Sequence, residues 1–235
     1  MKINTNLSKL ENNEIIIHNE KLLELAETQH FHENIFYILT SKKPTKTESK
    51  IFSTILSILI DHGPETSSTL TTRISASTGN NIQTSVGAGI LAMGKYHGLA
   101  IDKTIEQIEA IKEYNEKQIQ EWVEQKLKNK ETIYGYGHKY YKEKDPRVET
   151  ILNLCKKEGY ESKNIENLQI IEKTIESIKG KKIILNIDGL IAGILQEMKI
   201  TGEKANSIFI IARISGLCTH AIDQKENGEK VLRGG

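Results

Sequence analysis

ILNIDGLIAGIL, residues 184–195, decides the fold class. Its opening ILNI could be mistaken for a buried strand, and a strand here would call for a sheet. One four-residue apolar run makes no sheet, and from Asp188 onward the apolar residues recur at helical spacing. Working outward, helices are expected at 188–199, 204–222, 165–179 and 147–158. A long amphipathic helix is expected over 102–128, with Ile105, Ile108, Ile111, Trp122, Val123 and Leu127 on its apolar stripe and a solvated Glu/Lys face. Further toward the N-terminus, 22–27, 31–40, 46–60, 67–77 and 82–94 carry the same period. With only three prolines in the chain, the class is all-α. The charged helix after His97, and the return near Gly202, suggest a middle segment inserted into another domain. The expected division is 1–102 with 204–235 as a large helical domain and 103–203 as a small one.

At 235 residues the chain is long enough for a sizeable core. A net charge of +1 supplies no field that calls for nucleic acid or an anionic membrane. No apolar run is expected to reach the roughly 18–20 residues that span a bilayer, and the first fourteen residues are too polar for a signal peptide. Cys155 and Cys218 have neither disulfide-framework nor zinc spacing, which suits a reducing cytoplasm.

Several local signals carry little chemistry. GAG (87–89) fits no phosphate-loop fingerprint and reads as close helix packing. His30 and His32 lack the i,i+4 metal spacing, so no metal is expected. His18 reads as a surface residue, His220 as a satisfied structural histidine and Arg73 as a structural arginine.

What remains is a constellation: DHGPETSSTLTTR (61–73), KYHGLA (95–100), GYGHKYYKEKDPR (135–147) and LNIDGLIAGIL (185–195). A glycine-flanked histidine is either a turn residue or a hydrogen-bonding catalyst, and a carboxylate in an apolar run either caps a helix or has its pKa raised toward that of a general base. The chain uses 28 lysines but only four arginines: Arg73, Arg147, Arg213 and Arg233. Lysine serves as a solvated charge but cannot present the planar fork that holds a carboxylate bidentately. Fixed guanidiniums, three histidines and a buried acid together point to a small polycarboxylate undergoing enolate chemistry.

DHGP, KYHGLA, GYGHKYYKEKDPR, LNIDGLIAG, ARISG and IDQK, in that order over residues 15–233, resemble the citrate synthase superfamily. The match is closest to its compact citryl-CoA lyase branch, which includes the C-terminal domain of ATP citrate lyase. The resemblance implies an all-helical large domain with a smaller domain that closes over substrate. It implies that His62 hydrogen-bonds the oxaloacetate portion, that His97 stabilises the acetyl-CoA enol, and that His138 acts on the oxaloacetate carbonyl or the corresponding hydroxyl. Asp188 would exchange the proton on the acetyl methyl carbon. Arg147 and Arg213 would bind substrate carboxylates, and Arg233 would be lent to a partner subunit, implying a homodimer. Lys142 would meet a CoA phosphate, with Gly137 beside the CoA.

On this resemblance the reaction is reversible cleavage of citryl-CoA to acetyl-CoA and oxaloacetate, with His138 taking the hydroxyl proton. DHGP, LNIDGLIAG and the compact length favour this over citrate synthase, the tricarboxylic acid cycle reaction that forms citrate and free CoA. A non-catalytic CoA-binding subunit of a citrate-cleaving complex is a third reading. The CoA thioester is a substrate, no metal is implied, and a separate citryl-CoA synthetase is left open as a partner.

Overall fold

In the computed structural model, residues 5–94, 97 and 101–232 are described. The contacts divide the chain into two units, residues 1–54 and 55–235.

The first unit opens with strands that the helical reading did not anticipate. β1 (Ser8–Glu11) pairs with β2 (Glu14–Ile17), and β2 pairs with β3 (Glu20–Lys21), all antiparallel. The first turn is Asn12-Asn13, both at positive φ (51° and 63°), as a two-residue hairpin with the twist of its strands requires. α1 (Leu22–Thr28) and α2 (Phe31–Thr40) follow. Leu25, Ile17 and Tyr37 form their core, and Phe36 meets Phe52 edge-on at 5.4 Å between centroids. His18, expected at the surface, is half-buried there. Its ring lies edge-on to Tyr37 and its Nε2 is 3.1 Å from the Ile38 carbonyl oxygen.

α3 (Lys46–Leu59) runs from the first unit into the second, where its last turn begins at Ile55. In the second unit α4 (Ser67–Ser77), α5 (Ile82–Leu91) and α11 (Glu203–Asn227) pack on one another. α4 and α5 approach so closely that a Cβ on Gly89 would land on Thr72 Oγ1 and the Ser68 carbonyl, the tight packing expected at 87–89. α6 (Ile101–Ile111), α7 (Glu116–Lys128), α8 (Pro146–Lys157), α9 (Lys163–Lys179) and α10 (Ile187–Glu197) make the rest of the unit. Their core includes Ile111, Ile119, Val123, Ile171 and Ile175.

Two expectations are corrected here. The long helix over 102–128 is two helices, because Asn115 caps α7 through the Gln118 amide while the Gln118 side chain accepts from the Asn115 N–H. This reciprocal box starts a new helix although the apolar stripe continues across the break. Second, α11 is, by length and composition, long and apolar enough to cross a membrane. It is nevertheless packed by α4, α5 and α6, and it buries Arg213, Asn206 and Gln224.

Candidate active site

The site is built where two loops meet a helix start. Tyr136 and Leu185 form an isolated antiparallel bridge, so ILNI contributes one bridge rather than a sheet. The Gly137 N–H donates to the Ile184 carbonyl (2.7 Å) and the Asn186 N–H to the Gly135 carbonyl (2.9 Å). Asn186 then caps α10, accepting from the Gly189 N–H at 3.0 Å, and its Nδ2 donates to the Gly137 carbonyl at 3.0 Å. Gly135 has φ +87°, and a Cβ on it would sit 2.8 Å from Gly189 Cα. A Cβ on Gly189 would sit 2.5 Å from the Gly135 oxygen. This backbone-to-backbone contact joins the loop that carries His138, three residues after Gly135, to the first turn of α10, which carries Asp188.

A cavity of about 530 Å³ lies there. Of the predicted site residues, His62, His97, His138, Arg147, Asp188 and Arg213 all line it. Arg233, and the KYHGLA residues other than His97, lie outside the described residues. Gly137 is in the loop behind the wall, at φ +83°. Lys142 is exposed, its ammonium donating to the His138 carbonyl at 2.8 Å.

His97 is held by reciprocal backbone bonds with Gly94 (2.8 Å each). Its Nε2 accepts from the Ser68 N–H (3.4 Å) in the first turn of α4 and lies 2.8 Å from Ser68 Oγ. With Nε2 as acceptor, a neutral ring carries its proton on Nδ1. Burial, and then the Arg213 charge, hold its pKa below the usual histidine value, which favours the neutral ring.

His138 is held differently. Its Nδ1 accepts from the backbone N–H groups of Tyr140 and Tyr141, both at 3.1 Å, and its Nε2 lies 3.2 Å from Arg147 Nη2, which donates and cannot accept. Burial, and then Arg147, lower its pKa as well. His62 at the cavity mouth is lowered for the same reasons. Its Nδ1 is 3.3 Å from Arg147 Nη1.

Sequence reasoning missed the residue that aims Arg147. Asp145, its side chain wholly buried, accepts from Arg147 Nε at 2.9 Å and Nη2 at 2.7 Å, and also caps α8 through the Arg147 N–H. Burial alone would raise the Asp145 pKa, but the bonds and charge of Arg147 outweigh it and hold the carboxyl below its usual value. One edge of the guanidinium is therefore occupied, and the Nη1/Nη2 end faces His62 and His138. The signal was present in DPR, where an aspartate precedes a first-turn proline.

Arg213 is 2% exposed; its Nε donates to the Leu59 carbonyl at 2.9 Å and its guanidinium stacks 4.6 Å from the Phe209 ring. Its Nη1 is buried with no partner, a donor suited to an anionic oxygen in the cavity. Asp188 is raised above the usual carboxylate range by burial, against the opposing pull of Arg147. Outside the cavity, His220 bonds Asp61 at 3.1 Å and Arg73 pairs with Asp223 at 3.1 Å, the structural roles expected for both.

Residues 7–234 match the family model described as citrate synthase, C-terminal domain. The chain belongs to the citrate synthase family. It is 31% identical over 206 residues to the citrate synthase of Deinococcus radiodurans, covering 85% of this chain and 53% of that one. The chain thus spans about half the length of that curated relative. Among solved structures, the citryl-CoA lyase of Hydrogenobacter thermophilus is similar at a TM-score of 0.93 and 30% identity, covering 99% of this chain and 90% of that one. The ATP citrate lyase of Methanothrix soehngenii, solved with citrate and coenzyme A, shares the fold at a TM-score of 0.85 and 21% identity, covering 99% of this family member and 40% of itself.

Proposed function

We propose that the protein is a citryl-CoA lyase, cleaving citryl-CoA to acetyl-CoA and oxaloacetate. The observation that carries the choice of lyase is the near-complete mutual coverage with the Hydrogenobacter enzyme. The cavity supplies the chemistry. Arg213 Nη1 and the Nη1/Nη2 end of Arg147 take the carboxylates of the oxaloacetate half. His138, whose Nε2 lies 3.2 Å from Arg147 Nη2, takes the proton from the oxygen that is hydroxyl in citryl-CoA and carbonyl in oxaloacetate. As the carbon–carbon bond breaks, its electron pair passes to the thioester, whose enol oxygen meets His97 Nδ1–H. Asp188, its pKa raised by burial, delivers a proton to the new methyl carbon. Proton exchange with solvent then discharges His138 and reprotonates Asp188, so the net transfer is from oxygen to carbon.

Residues 103–203 would form the smaller domain, closing over the thioester to exclude water from the enol. Lys142 and Gly137 would lie on the CoA side. A homodimer is part of the same reading. It is supported by exposed Leu70 and Ile74 one turn apart on α4, and by exposed Ile214 and Ile222 two turns apart on α11, which packs on α4. A fully active monomer by sedimentation would refute it. The second reading is citrate synthase, favoured by the curated relatives of that name. Incubation with citryl-CoA separates the two. Acetyl-CoA plus oxaloacetate is the expected result; citrate plus free thiol would overturn the lyase in favour of the synthase.

A further inference from the structure

The Tyr141 ring lies against the His138 ring, centroids 4.6 Å apart and planes 22° from parallel. The same residue's backbone N–H is one of the two that bond His138 Nδ1. Its ring also carries the Arg147 guanidinium, with Cζ 5.6 Å from the centroid. Tyr140, by contrast, is 61% exposed, tilted 54° to the histidine, and covered by Lys139 Nζ rather than by a cavity residue. One tyrosine of the pair is thus a surface residue and the other forms the back wall of both His138 and Arg147. Neither the lysines nor the glycines of this segment can supply such a wall.

We propose that Tyr141 is a positioning residue, its ring and backbone N–H together holding the His138 ring toward the substrate oxygen and bracing the Arg147 fork beside it. The proposal rests on the reaction assigned above. Offset aromatic contacts and cation–π contacts are individually modest, but they act here on two groups that must meet one oxygen and one carboxylate at once. Without the ring, His138 keeps its backbone acceptor bonds but gains freedom to tilt away from the reacting oxygen. A misplacement of about 1 Å can cost as much as 100-fold in rate. Because Arg147 also holds a substrate carboxylate, the loss falls mainly on kcat and to a smaller degree on the KM for citryl-CoA.

The test compares Tyr141→Ala and Tyr141→Phe with wild type in two independent readouts. The first is steady-state cleavage of citryl-CoA with its pH profile. The second is the ¹⁵N chemical shift pair of the His138 ring, read with or without turnover. The groups facing that ring are Arg147, Asp145, Lys142, His62 and Tyr140, and none of them is substituted in either variant. Tyr141→Ala is expected to lower kcat by about tenfold or more, to raise the KM for citryl-CoA by a smaller factor, and to move the His138 ring ¹⁵N shifts and the pH profile away from wild type. Tyr141→Phe, which keeps the stack, is expected to rescue all three. A Tyr141→Ala variant with wild-type kcat and unchanged ring shifts and pH profile overturns the proposal. So does a variant that loses only melting temperature, or one in which Phe fails to rescue. If wild type does not turn over citryl-CoA, the assigned reaction fails, while the ring-shift comparison still decides the role of Tyr141.

Discussion

Arg213 offers the sharpest quantitative test of the site. Replacing it with lysine removes the Nε bond to the Leu59 carbonyl and converts a stacked planar fork with a waiting Nη1 into a point charge. A hydrogen bond between charged partners contributes about 1.5–3 kcal/mol, and losing one arm of a bidentate pair forfeits that amount. At roughly 1.4 kcal/mol per decade this is a rise of about 10- to 150-fold in the KM for oxaloacetate, measured in the condensation direction with acetyl-CoA saturating. A thermal-shift assay gives an independent number. At 100 times the wild-type Kd, oxaloacetate stabilises wild type by about 2.7 kcal/mol. A 100-fold weaker variant gains only about 0.4 kcal/mol at that same concentration. For a protein of this size that is a melting shift of about 5–10 °C in wild type against roughly 1 °C in Arg213→Lys. Equal KM values and equal ligand-induced shifts would remove Arg213 from the substrate site.

Asp188→Asn should abolish turnover while leaving CoA-thioester binding intact, checked by calorimetry beside the activity assay. The same variant should melt above wild type at pH 7.5. The folded Asp188 pKa is raised, so its favourable contribution is present below the unfolded value of about 3.9 and is lost as pH rises through the folded value. The melting advantage should accordingly vanish toward pH 3.5. Gly189→Ala would drive a Cβ into the Gly135 carbonyl 2.5 Å away and Leu185 Cδ1 2.8 Å away. Overpacking of this kind costs about 1–3 kcal/mol, and differential scanning calorimetry should show a fall of roughly 2–12 °C.

The helical class was legible because amphipathic periods state their own boundaries. The segments read at 31–40 and 67–77 coincide with α2 and α4. The hairpin at Ser8–Ile17 escaped because four-residue strands leave too short a pattern, although Asn12-Asn13 was its turn signal. The break after Ile111 escaped because an apolar stripe can run on across two helices while a cap does not, and Asn115 with Gln118 was the cap. In the site, the side chains facing the cavity announced themselves by residue type: histidines beside glycine, scarce arginines, a carboxylate among aliphatics. Their supports did not. Ser68 on His97 and Tyr141 on His138 act through partners 29 and 3 residues away, and nothing in a serine or a tyrosine marks it as an orienting group until the tertiary structure puts it in place.

The contact between Gly135 and Gly189 has a consequence for how such a site can diversify. The loop that carries His138 and the helix start that carries Asp188 meet where two backbones touch, with no side chain between them to be exchanged. Ile58, Phe209, Thr132 and Tyr134, which also face the cavity, take no part in that contact. On the proposed reaction, substrate shape and bond chemistry are therefore separable variables: the walls can drift while the backbone contact between the two segments stays fixed.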